Sequence, residues 1–357
     1  MRHLGRQLVA VDWKAVNQEV TMRRRMGATA LPAHQMAMIR SSRHRASGMA
    51  ARFQPVVRAL LVSMGLSGPP LLAQPFRAQT VPPGAPSLEA QQTFQAKIDA
   101  QARLLASDPR LRRIPEHKRR ALVEFIVGNV LFVTTHELGF ALLGEMNLPT
   151  ISGPEAAADD FAILTALQLG ENAFSDHILI EAAKGWFTSA RRERRAGGTP
   201  HYYERHGFNA RRAYRIACLM VGADKLRFKA LAKEATLPGN VRRTCGWEYD
   251  QASRSWASVL MPHRRAADQP KARIEVIYGD AAGNLGVYAQ VFRNLRFLET
   301  IAEFASDRFA WRAPILMEMR SCGDASATWT AATRTLHVCY EMAQDFAELY
   351  RDLGQDQ

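Results

Sequence analysis

A chain of 357 residues with 47% hydrophobic and 23% charged side chains has ordinary globular composition, which excludes a wholly disordered protein. Its net charge of +13, taken whole, suggests a nucleic-acid or anionic-membrane partner. Position changes that reading: residues 1–78 hold twelve Lys/Arg against Asp12 and Glu19, so they carry +10 of the +13 and leave a body of only +3.

In chain order, residues 1–48 are Arg-rich, almost free of acid and without a periodic apolar face. Residues 49–78 follow the order of a secretory signal: Met49, a cationic stretch with Arg52 and Arg58, an apolar run from Ala59 to Leu66, then small residues at Ala73 and Ala78. The apolar run is far short of the about 20 residues that span a bilayer. The expectation is an exported, periplasmic or secreted protein, with 1–48 translated upstream of the true start. A basic arm or an organelle transit peptide shares the same signature and stays open. A Pro-rich linker, 79–87, precedes one folded domain, 88–357.

Helix formers fill Glu89 to Leu105. Pro115 and Glu116 start a segment whose apolar residues run at helical spacing through Leu122, Phe125, Ile126, Val130, Leu138 and Leu142. Glu124, Gly128 and Asn129 interrupt it, so it reads as a buried helix and no transmembrane helix is expected in the mature chain. Further helices are expected over Glu155 to Leu169, Asp176 to Arg195 and Asn209 to Val221. Strand alternation comes late, at Arg273 to Tyr278 and Ile315 to Arg320, with Thr335 to Tyr340 expected to pair with the latter as a hairpin. The fold class is α+β, predominantly helical, with a small C-terminal β-hairpin.

None of the four cysteines forms a CxxC pair, which argues against a zinc ribbon. Two bridges are the economical reading for an exported chain. Of the three connectivities the sequence-local one is favoured, Cys218 with Cys245 and Cys322 with Cys339; four buried thiols are the alternative for a cytosolic protein.

His136 and Glu137 lie inside the long apolar helix, where a buried polar pair needs partners. Zinc hydrolases meet that need with H-E-x-x-H, two histidines one turn apart and a glutamate that polarises the metal-bound water. Only the first half is present, and the plainer reading is a core histidine with a hydrogen bond. Nineteen and 23 residues on, Glu155 and Asp159 share one face of the next helix. In gluzincin-type peptidases such an E-x-x-x-D helix supplies the third zinc ligand through its glutamate, and its aspartate takes the free ring N–H of the first histidine.

Asn129 to Gly139, Leu148-Pro149 and Ala157-Ala158-Asp159 resemble an uncharacterised bacterial metallopeptidase-like family whose core reads HELGH followed by an EEDAAD-like helix. The likeness continues through His206 to Leu219 with Arg212 and Tyr214, then Cys245, Trp256 and Pro262-His263-Arg264, to Cys322-Gly323-Asp324 and Cys339-Tyr340-Glu341. It covers roughly Leu122 to Phe346 and implies a zincin-like domain, a peptide or protein substrate, and zinc held by His136 and Glu155 with Asp159 behind. Glu137 would activate water, and His206 falls where a residue could stabilise the oxyanion.

The departure is Phe140, which stands where the family has its second histidine. Asp160, His177 or His206 are the candidates to replace that ligand. Three function classes follow: a zinc peptidase, a pseudopeptidase that keeps the fold as a peptide-binding or structural module, and a nucleic-acid binder resting on Arg191, Arg192, Arg194, Arg195, Arg211, Arg212 and Arg215. The small charge of the body speaks against the last, and no nucleic-acid partner is expected.

Overall fold

The apolar run between Leu122 and Leu143 decides the architecture, because a helix buried on every face needs cover on every face. The computed structural model describes residues 88–150, 153–172, 176–195, 209–235 and 237–353. The basic leader, the expected export signal, the expected linker and His206 lie outside them. In chain order the elements are α1 (Leu88–Leu105), α2 (Glu116–Glu145), α3 (Pro154–Asn172), α4 (Asp176–Arg195), α5 (Asn209–Ala223), α6 (Lys229–Glu234) and α7 (Gly239–Leu260). There follow β1 (Ile274–Tyr278), α8 (Gly286–Asn294), α9 (Phe297–Arg308), β2 (Ile315–Arg320), β3 (Ala327–Thr330), β4 (Thr335–Cys339) and α10 (Tyr340–Leu353). The fold class is therefore the expected mostly helical α+β.

Helix α2 is the axle of the molecule, and α1, α3, α4 and α10 pack around it. It is long and apolar enough to cross a membrane, yet 83% of its most apolar window is buried inside the protein. Several of its buried polar side chains bond to backbone carbonyls. Thr134 and Thr135 donate to the carbonyls of Val130 and Leu131. Asn129 Nδ2 bridges Phe125 O and Glu181 O, tying α2 to α4. The same crossing depends on Gly128, where a Cβ would stand 2.2 Å from the carbonyl oxygen of Ile178.

The late strands form one sheet in the order β1-β2-β4-β3. Here the expected pairing needs correcting. Strands β2 and β4 are parallel neighbours, Leu316 opposite Thr335 and Arg320 opposite Cys339. The hairpin is made instead by β3 and β4, an antiparallel pair with Thr330 opposite Thr335. Two strands close in sequence read as a hairpin, but the residues between them contribute a strand of their own. Arg334, in the turn with φ +53, pairs with Glu145 at the end of α2 and so pins the hairpin against that helix.

Both bridges pair as expected. Cys218–Cys245 joins α5 to α7, and Cys322–Cys339 joins the loop after β2 to the end of β4. At the first, Gly222 lets the helices touch, since a Cβ there would meet Cys245 O at 2.2 Å.

Candidate metal centre

His136 sits at the middle of α2 and is 4% exposed. At Gly139 a Cβ would come within 3.1 Å of Ala158 Cα, so the missing side chain lets α3 lie close over α2. That approach carries two carboxylates to one imidazole. Asp159 Oδ1 stands 2.8 Å from Nδ1 and Glu155 Oε2 stands 3.4 Å from Nε2. Glu155 and Asp159 thus face different nitrogens of the same ring.

Arg212, on α5, closes the network. Its Nε donates to both Asp159 oxygens at 2.8 and 3.0 Å, and its Nη2 lies 3.7 Å from Glu155 Oε2. The guanidinium rests over Trp186 at 4.7 Å and Phe132 at 5.8 Å, so it is held flat by aromatic faces. Arg212 fixes Asp159, and Asp159 in turn orients the His136 ring. Burial alone would lower the His136 pKa, but Asp159 and then Glu155 outweigh it and hold the imidazole above its ordinary value, with Arg212 opposing. A metal ion would have to displace that proton.

Glu137 projects from α2 toward the sheet. Its Oε2 accepts a hydrogen bond from the backbone N–H of Trp329, on the outer strand β3, at 2.8 Å. His136 and Glu137 therefore serve different walls of the same region, one facing α3 and the other facing β3.

Does this set of residues fit zinc? A tetrahedral ion bound at about 2.1 Å places neighbouring ligand atoms about 3.4 Å apart, and the separation between His136 Nε2 and Glu155 Oε2 is 3.4 Å. Those two donors fit. The third does not: Phe140, one turn beyond His136, stacks its ring edge-on against the imidazole at 5.1 Å between centroids and offers no lone pair. Cys322, Cys339 and Glu341 do bring three potential donor atoms together. Their sulfurs are joined to each other, and the Glu341 carboxylate accepts from the N–H groups of Cys322 and Gly323, so that cluster is a structural staple. The described residues give zinc two protein ligands, one fewer than a catalytic site uses.

Two of the three candidates for a replacement ligand are engaged elsewhere, and the third, His206, lies outside the described residues. Asp160 pairs with Arg215 at 2.6 Å; burial raises its pKa and Arg215 pulls it back. His177 Nδ1 pairs with Glu124 at 3.1 Å, on the α2–α4 contact. Arg192 and Arg215, read as possible nucleic-acid contacts, are also bound to carboxylates, Asp345 and Asp352 for the first, Asp160 and Glu248 for the second.

Sequence reasoning missed two participants. Arg212 carried a signal, a charge in register with the apolar face of Ile216, Leu219 and Met220. Trp329 carried none, because its contribution is a backbone N–H that any residue but proline would supply. Residues 103–260 match the model of a protein family described as "Putative metallopeptidase". That span holds His136, Glu137, Phe140, Glu155, Asp159, Arg212 and the first disulfide, and it stops before the sheet. Among curated proteins and among solved structures nothing matches the chain.

Proposed function

We propose that the protein is an exported member of a zinc-metallopeptidase lineage whose metal site has lost one ligand, so that it binds zinc weakly and hydrolyses peptide bonds slowly or not at all. The observation that carries this reading is Phe140 packed on His136, beside a Glu155 and an Asp159 that still address the two ring nitrogens. Zinc in peptidases supplies a polarised water and a Lewis acid for the scissile carbonyl. Replacing an imidazole by a phenyl ring removes a protein ligand. Loss of even an outer partner costs about 10- to 100-fold in affinity or activity, so the loss here exceeds that.

The test is metal content and peptide hydrolysis of three purified proteins. Wild type is expected to hold zinc well below one per chain. Phe140→His is expected to approach one zinc per chain and to gain peptidase activity. Adding Glu137→Gln should abolish that activity with the zinc retained. One tightly held zinc per wild-type chain overturns the proposal.

A second reading, a peptide-binding or structural module without turnover, is favoured by Arg212. It bonds to Asp159 and reaches toward Glu155, so the acidic pair is compensated from within the chain. Peptide affinity in a wild type that has no hydrolytic activity is the result expected of such a module.

A further inference from the structure

On the face of α3 opposite Glu155 and Asp159 by the 3.6-residue repeat, the structure encloses a second feature that the metal centre does not use. A cavity of about 300 Å³ lies between α3, the end of α7 and α9, walled by Phe161, Leu164, Trp256, Leu260, Phe304 and Phe309. Its walls are a connected aromatic set, Phe161 against Trp256 at 4.9 Å and against Phe309 at 6.2 Å. Its volume is at the lower end of small-ligand sites and would hold roughly ten water-sized groups.

The rim has the opposite character. Arg264, Arg265 and Arg308 stand around it with a single acid, Asp307. Asp307 is already engaged by Lys271 Nζ at 2.5 Å. Arg265 spends its guanidinium on the backbone carbonyls of Asp307, Ala266 and Gln269. Arg308 lies over Phe304, its Cζ 4.2 Å from the ring centroid, and makes no ion pair with a carboxylate of the described residues. Burial lowers its pKa; Asp307 opposes this and the like charge of Arg264 adds to it. The mouth therefore carries excess positive charge above an apolar floor.

We propose that this cavity binds a small amphipathic carboxylate, its apolar body between Trp256, Leu164 and Phe309 and its anionic end on Arg308. A neutral apolar molecule leaves the rim uncompensated, and a cation is repelled by it. The same chemistry belongs to a medium-chain aliphatic acid and to the free C-terminus of an apolar peptide, and the two are separable by probe.

Calorimetric titration of the full chain with octanoate, octanol and octylamine tests the charge requirement, and N-acetylphenylalanine tests the peptide-end source. Octanoate or N-acetylphenylalanine is expected to bind at one site per chain, at least tenfold more tightly than octanol or octylamine. The tighter of the two acids identifies the source. Arg308→Gln should cost the acid tenfold or more while leaving octanol unchanged, and Leu164→Trp should fill the cavity and remove binding. Octanol binding as tightly as the acids, an unaltered affinity in Arg308→Gln, or no saturable binding of either acid overturns the proposal. The comparison of acid with alcohol uses wild type alone, so it decides the matter even if Leu164→Trp does not fold. None of these readouts involves zinc or peptide hydrolysis.

Discussion

At the scale of single residues, the site is set by what is absent as much as by what is present. Gly139 and Gly128 have no side chain at the two places where α2 meets α3 and α4; a Cβ would be tight at Gly139, and the distances leave no room for one at Gly128. At Gly128 the obstructing atom is a backbone carbonyl, which cannot swing aside as a flexible side chain would. In Gly128→Ala, overpacking is therefore expected to cost about 1–3 kcal/mol, which outweighs the roughly 1 kcal/mol that better helix propensity returns, so the fold is destabilised. A chemical-denaturation midpoint equal to or above that of wild type would show that α4 shifts freely. The sequence displayed part of this centre. His136, Glu155 and Asp159 were legible because a polar residue inside an apolar helix and an i, i+4 acidic pair on the next one stand out by type and spacing, and Phe140 was legible as a departure from the HExxH pattern. Trp329 was not, because a backbone amide leaves no mark on residue identity.

At the scale of elements, the contact between α2 and α4 is an electrostatic joint as well as a packed one. His177 opens α4 and reaches Glu124 on α2 at 3.1 Å, with Glu181 at 3.8 Å. The Glu124 hydrogen bond raises the His177 pKa, burial opposes it, and Glu181 adds to the rise. The sign follows from linkage: a group whose folded pKa lies above its unfolded value of about 6.5 stabilises fully below that value, and the contribution fades as pH climbs through the folded pKa. Wild type is expected to be more stable than His177→Gln at pH 5.5 and to lose that margin in mildly alkaline solution. A margin that does not change with pH, measured by urea denaturation at matched ionic strength, would contradict the pairing. Helices α1 to α5 were readable from apolar period and from their Pro and Gly stops. Helix α7 was not, since it carries Gly239, Gly246 and several arginines; docking on α5 at Gly222 and the Cys218–Cys245 bridge hold it in place. Strand β3 has four residues, too few for alternation to register.

For the whole molecule, the two disulfides divide the labour of closure. One fastens α5 to α7, and the other fastens the loop after β2 to the end of β4. With the paired cysteines 27 and 17 positions apart in sequence, the chain-entropy model gives each bridge about 3 kcal/mol. Replacing Cys218 and Cys245 by serine should lower unfolding free energy by about that amount, and replacing Cys322 and Cys339 should do so independently, because the pairs share no partners. Loss of less than 1 kcal/mol from either double variant would show that the unfolded chain is not limited by these loops. Two bridges in a protein of this size suit an oxidising compartment, in keeping with the proposed export.

The bond from Trp329 N–H to Glu137 has a consequence for the sheet as well as for the metal site. An outer strand with unpaired N–H groups invites another chain to add alongside, and proteins commonly guard such edges with charge. Here the guard at Trp329 comes from the core helix, a buried carboxylate placed on an outward-facing amide. Glu137 thus has a reason to persist that owes nothing to water activation. If the metal site has lost a ligand as proposed, this role of Glu137 at the sheet edge is untouched by that loss.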